Sequence, residues 1–151
     1  MFVRRGCKSL ELLFTLAIAL AGFSGVEAIA HETQIDETVG GTLHIEPNDV
    51  PRAKKPALAW FALTRRGGQP IPLADCDCRL AVYSNSASEG DKPLATPGLK
   101  AVDAGGYRDI PAAEMTFPAV GRYELVVTGK PTEKADFQPF ELSFEVTVAS
   151  Q

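Results

Sequence analysis

The chain has 151 residues, with 15 Lys+Arg against 19 Asp+Glu, 45% apolar and 23% charged. That balance sets aside collagen-like, polybasic and disordered-tail classes. Residues 1–30 hold three basic and two acidic residues; without them 12 basic and 17 acidic remain, a net charge of −5 that argues against a nucleic-acid partner.

Met1 to Lys8 is a short basic region with Arg4, Arg5 and Lys8, Leu12 to Phe23 is an uncharged apolar run, and Ser24 to Ala30 is rich in small residues. This is the layout of a signal peptide. A membrane-spanning helix needs about 20 apolar residues, more than the run supplies, so no permanent membrane anchor is expected. Cys7 precedes the apolar run and is expected to leave with the signal. The expected organisation is a signal peptide at 1–30 and a single domain at 31–151, exported to a periplasmic, extracellular or lumenal compartment.

Two cut sites have small residues at the third and first positions before the break: Val26-Glu27-Ala28, releasing Ile29, and Ala28-Ile29-Ala30, releasing His31. The second has alanine at both positions. A terminal His31 would offer its amine and its ring to one metal ion, a grip that suits Cu(II).

Past His31 the apolar residues recur at every second position, the period of a half-buried strand. Leu43 and Ile45 share one face within Thr42-Leu43-His44-Ile45-Glu46, which turns His44 outward. Ala57 to Thr64 is apolar on both faces, as expected of a central strand, with Trp60 and Phe61 on opposite sides. Arg65-Arg66-Gly67-Gly68-Gln69 supplies glycines for a tight reversal into Ile71 to Leu73. Leu80 and Val82 share a face in Arg79 to Tyr83. Ser84 to Pro97 is rich in loop residues, and Met115 and Phe117 face inward in Ala113 to Phe117. Gly121 to Gly129 aligns Tyr123, Leu125 and Val127, and Phe140 to Val148 alternates throughout. About seven short strands without a helix predict an all-β, immunoglobulin-like antiparallel β-sandwich.

Cys76 and Cys78 are the cysteines that remain, in Asp75-Cys76-Asp77-Cys78-Arg79. Three readings stay open. In an oxidising compartment the pair forms a disulfide, although residues i and i+2 of an extended strand lie about 6.6 Å apart, near the limit for a bridge. As two thiolates on one side of a strand they would suit Cu(I) or Zn(II). Thiol–disulfide exchange is the third, without the helix N-terminus that usually lowers a thiol pKa. His44 and Met115 complete the candidate metal ligands, and parity sends them to opposite faces.

The chain resembles the exported immunoglobulin-like copper-binding modules of the CopC and YtkA-like type. The resemblance rests on His31, on Pro47-Asn48-Asp49-Val50-Pro51 before the apolar strand Ala57 to Leu63, and on the final pair of strands carrying Tyr123, Leu125, Phe140, Leu142, Phe144 and Val146. It implies copper binding. The family's second element, an Asp and a His one residue apart before the last strand, has no match, since Gly129 to Phe137 contains no histidine; Cys76 and Cys78 would have to replace it. No nucleophile-elbow, zincin or phosphate-loop motif is present. The expected function is therefore an exported, non-enzymatic accessory protein that binds a partner protein or a metal ion, copper first, with His31, Cys76, Cys78, His44 and Met115 as ligands. The alternative is a structural or protein-interaction module with no metal and a Cys76–Cys78 disulfide.

Overall fold

The computed structural model describes residues 32–88 and 90–150; the proposed signal peptide and His31 lie outside them. Among the described residues nine strands follow in order: β1 Thr33–Asp36, β2 Val39–Glu46, β3 Pro56–Arg65, β4 Gln69–Pro70, β5 Cys76–Ser84, β6 Lys100–Ala104, β7 Tyr107–Thr116, β8 Gly121–Pro131 and β9 Phe140–Val148. A 3-10 turn, Leu73–Asp75, leads into β5. The strands pair antiparallel into two sheets, β1-β2-β3-β7-β6 with β4 on β3, and β5-β8-β9. The fold is the expected all-β sandwich.

The two-residue period builds the core directly. Leu43 and Ile45 of β2, Ala59, Phe61 and Leu63 of β3, Leu80 and Val82 of β5, Leu125 and Val127 of β8, and Leu142 and Phe144 of β9 form one buried cluster between the sheets. Phe61 and Phe144 meet across it with ring centroids 5.8 Å apart. Because β3 is central, its other face is covered too: Trp60, Ala62, Ile110 and Ala112 form a second, smaller cluster on the outside of the larger sheet. Gly105 closes this cluster at the β6–β7 turn. A Cβ there would fall 2.6 Å from the Trp60 ring, and its φ of +58° is one that glycine adopts without cost.

Tyr123 pins the entry to β8. Its hydroxyl donates to the Ala119 carbonyl at 2.9 Å and accepts from the Ala119 N–H at 3.3 Å. A tyrosine bonded back to the backbone a few residues upstream is the tyrosine corner of immunoglobulin-like sandwiches. Removing that hydroxyl with Tyr123→Phe is expected to lower unfolding free energy by about 1 kcal/mol, read from a urea midpoint that falls while the slope stays constant.

Four segments differ from the sequence expectation. β1 and β6 are edge strands whose side chains are mostly exposed, and β7 begins at Tyr107 rather than Ala113. The reversal after β3 pairs only Gln69 and Pro70, after which Ile71 N–H donates to the Leu63 carbonyl and the chain enters the 3-10 turn.

Both outer edges on one side of the sandwich are joined by carboxylates. Glu32 accepts the Glu145 N–H and Asp36 accepts the Glu141 N–H, each at 2.8 Å. β1 thereby occupies donors of the β9 edge without forming a ladder to it.

Candidate metal centre

His44 lies on β2 opposite Trp60 of β3. Both side chains point to the outer face of the larger sheet, and the two rings stack with centroids 4.0 Å apart and planes 16° from parallel. The sequence expectation was a solvated His44. Instead the large flat surface of Trp60 covers one face of the imidazole, and the His44 side chain is 22% exposed.

The turn after β2 brings a carboxylate to the same place. Asn48 and Asp49 take left-handed φ values of 61° and 56°, a region that Asn and Asp tolerate better than most residues. Asp49 N–H donates to the Ile45 carbonyl at 2.7 Å, and Asp49 Oδ1 accepts the Ile45 N–H at 2.6 Å. Two bonds to Ile45 thus fix Asp49, one through its backbone and one through its carboxylate. Its second oxygen, Oδ2, lies 3.7 Å from His44 Nδ1. That separation exceeds a direct hydrogen bond and leaves the carboxylate beside the imidazole. A carboxylate on one imidazole nitrogen is the usual arrangement behind a histidine that offers its other nitrogen to a metal.

Glu32 is the first described residue, and its carbonyl accepts the Leu43 N–H at 3.3 Å, one pair beyond the Thr33–Thr42 register of β1 and β2. His31 is outside the described residues and is joined to Glu32 by one peptide bond.

The other expected ligands lie elsewhere. Met115 is on β7 opposite Ala57 and packs against the main core, on the face of the sheet away from His44. Cys76 and Cys78 open β5 in the other sheet and are bonded to each other as a disulfide, with Cα atoms 5.1 Å apart. Their sulfurs are not thiolates here, and the thiolate is the metal-binding form. Cys76 is buried and Cys78 half-buried, following the inward parity of Leu80 and Val82. Among the described residues no three His, Cys, Asp or Glu side chains converge as a metal cluster. Sequence reasoning passed over Asp49 and Trp60 as partners of His44. Asp49 stands in the quoted Pro47 to Pro51 loop, five residues from His44, which is the signal that pointed to it.

A groove of about 540 Å³ lies apart from this cluster, lined by Cys78, Leu80, Tyr83, Thr96, Pro97 and Leu99 among others. Among the described residues no helix is long and apolar enough to cross a membrane.

No protein-family model and no curated sequence matches the chain. Solved structures do. A DUF4426 family protein from Pseudomonas aeruginosa PAO1 aligns at 10% identity with a TM-score of 0.51, over 77% of this chain and 96% of its own. FetP of uropathogenic Escherichia coli strain F11, as isolated after recombinant expression in the periplasm, aligns at 15% identity with a TM-score of 0.52, over 80% and 94%. A copper-bound variant of the same FetP aligns at 15% identity with a TM-score of 0.51, over 79% and 95%. At these identities the likeness is one of fold, and the chain shares the β-sandwich fold of these proteins.

Proposed function

We propose that the protein is an exported, non-enzymatic β-sandwich that binds a transition metal ion, copper before others, at the outer end of β2. The observation that carries this reading is the His44 imidazole held between the Trp60 ring and the anchored Asp49 carboxylate. His44 would supply a ring nitrogen and His31 its ring and terminal amine, with Asp49 orienting His44 or closing the set with an oxygen. Glu32, the residue after His31 in the chain, bonds Leu43, the residue before His44. Two imidazoles, an amine and a carboxylate form the N,O donor set that suits Cu(II) in a tetragonal arrangement. Met115 and the bonded Cys76–Cys78 pair stand outside the proposed set. The copper-bound FetP variant of the same fold supports the choice of metal.

Trp60 is the single tryptophan of the chain, so its fluorescence reports on the ring stacked against it. With the exported protein, Cu(II) is expected to quench that fluorescence at one equivalent. His44→Ala should weaken binding by about 100-fold or more, and Asp49→Ala by about 10–100-fold, the usual cost of losing an outer-shell partner. Intact mass fixes the N-terminus in the same sample. A chain starting at Ile29 removes the amine–ring grip, and affinity unchanged in His44→Ala overturns the site.

A further inference from the structure

The Cys76–Cys78 pair carries chemistry that the metal reading leaves unused, and four features of its surroundings bear on it. The bond closes a loop around one intervening residue, Asp77. Cross-links stabilise less the shorter the loop they close, so this one contributes little to holding the fold. It also draws the two Cα atoms to 5.1 Å, where an extended pair would stand about 6.6 Å apart. The residues facing the pair on β8 are Pro131 and Gly129. A Cβ at Gly129 would lie 2.7 Å from Cys76 Sγ and 2.5 Å from the Phe140 ring, so the bonded sulfur occupies space that only glycine leaves open.

The fourth feature is access. β5 is an edge strand. Val82 uses its outward N–H and carbonyl to bond Ala95 and Leu94. Leu80 and Cys78 lie on that same edge by the two-residue period, and no described segment pairs with them there. The groove beside them is lined by both residues. An extended segment of another protein can add to such an edge through its main chain, which brings its side chains to Cys78.

We propose that this disulfide is an exchange site for an exported protein carrying a dithiol in an extended segment, with Cys78 Sγ as the atom attacked. The partner's thiolate forms a bond to Cys78 Sγ while the Cys76–Cys78 bond breaks, and the electron pair leaves on Cys76 Sγ, which takes a proton from solvent. The partner's second thiol, as thiolate, then attacks its own sulfur in the mixed disulfide and releases Cys78 as a thiolate that is protonated in turn. Two electrons and two protons pass from the dithiol, which becomes a disulfide, to Cys76 and Cys78, which become thiols. The order follows exposure: Cys78 is half-buried while Cys76 is 6% exposed. The proposal does not depend on metal binding at His44.

Dithiothreitol serves as the probe dithiol and the oxidised full exported chain as the substrate. Its reduction, followed by mass, is expected to be first order in dithiothreitol while circular dichroism shows the strands intact. A rate that levels off at the rate of global unfolding overturns the proposal. A second arm assigns the attacked atom: with oxidised glutathione, Cys78 in a Cys76→Ser variant should react about tenfold or more faster than Cys76 in a Cys78→Ser variant. Equal or reversed rates overturn that assignment. The double variant Cys76→Ser/Cys78→Ser should keep its strand spectrum; loss of the fold would make the bond structural and overturn the proposal.

Discussion

Phe61→Ala is expected to cost about 3–5 kcal/mol of unfolding free energy, the range for deleting a fully buried phenylalanine. Phe61 is wholly buried at the centre of β3, and its ring faces the equally buried Phe144 of β9. This pair joins the two sheets, so its loss leaves a cavity at the sandwich interface that neither sheet can fill without moving. A loss of this size is a large part of the roughly 5–15 kcal/mol available to a domain. Urea unfolding followed by circular dichroism measures it. The double variant with Phe144→Ala should fall short of the sum of the singles by about 0.5–1.5 kcal/mol, the worth of an aromatic pair beyond area. Additive losses, or a Phe61→Ala cost below about 1 kcal/mol, would mean that the sheets are not held together through this contact.

Trp60 gives the second large effect, with a distinction that size alone does not predict. Trp60→Ala removes the floor of the outer cluster on which Ile110, Ala112 and the Gly105 turn rest, and should again cost about 3–5 kcal/mol. Trp60→Phe should cost much less, under about 2 kcal/mol. The indole Nε1–H is buried and makes no hydrogen bond among the described residues. Leaving such a donor unpaired costs about 1–3 kcal/mol, and phenylalanine removes that penalty while keeping a ring beneath His44. Circular dichroism in urea measures both variants. Amide exchange at Gly105 to Tyr107 should quicken selectively in Trp60→Ala, because those residues lose what they pack on. Equal losses in the two variants would show that the unpaired indole carries no penalty.

The strands that build the core were legible because their side chains do the work. β2, β3, β5, β8 and β9 bury alternating apolar residues, and the opposition of Trp60 and Phe61 follows from one residue of offset. β1 and β6 were missed for the converse reason: they are held by backbone pairing to β2 and β7 and bury little. β7 hides its first half behind Asp109, at a left-handed φ of 53°, and Pro111, residues that read as a loop. At the candidate site, alternation told which face His44 occupies but not what lies beside it. The partner is set by the β2–β3 register, which couples position 44 to position 60 and leaves no local trace. The bond between Cys76 and Cys78 was one of three open readings because strand parity places both side chains on one side without saying whether they touch.

The carboxylates of Glu32 and Asp36 that occupy the β9 edge carry a consequence for the order in which the molecule assembles. Their bonds span 113 and 105 residues, so the start of the described chain and its last strand complete one another. β1 can pair with β2 locally, and Glu32 Oε1 accepts from Gln34 Nε2 at 2.7 Å, but Glu32 Oε2 and Asp36 Oδ2 meet their backbone donors only once β9 exists. A chain still emerging therefore keeps that edge open until β9 has been delivered. Contacts of such sequence separation belong to slow-folding β topologies, and an unpaired strand edge is the surface on which unfinished sandwiches associate. Removing Glu32 with β1, or removing β9, would reopen the same seam, which makes these two segments a single structural unit.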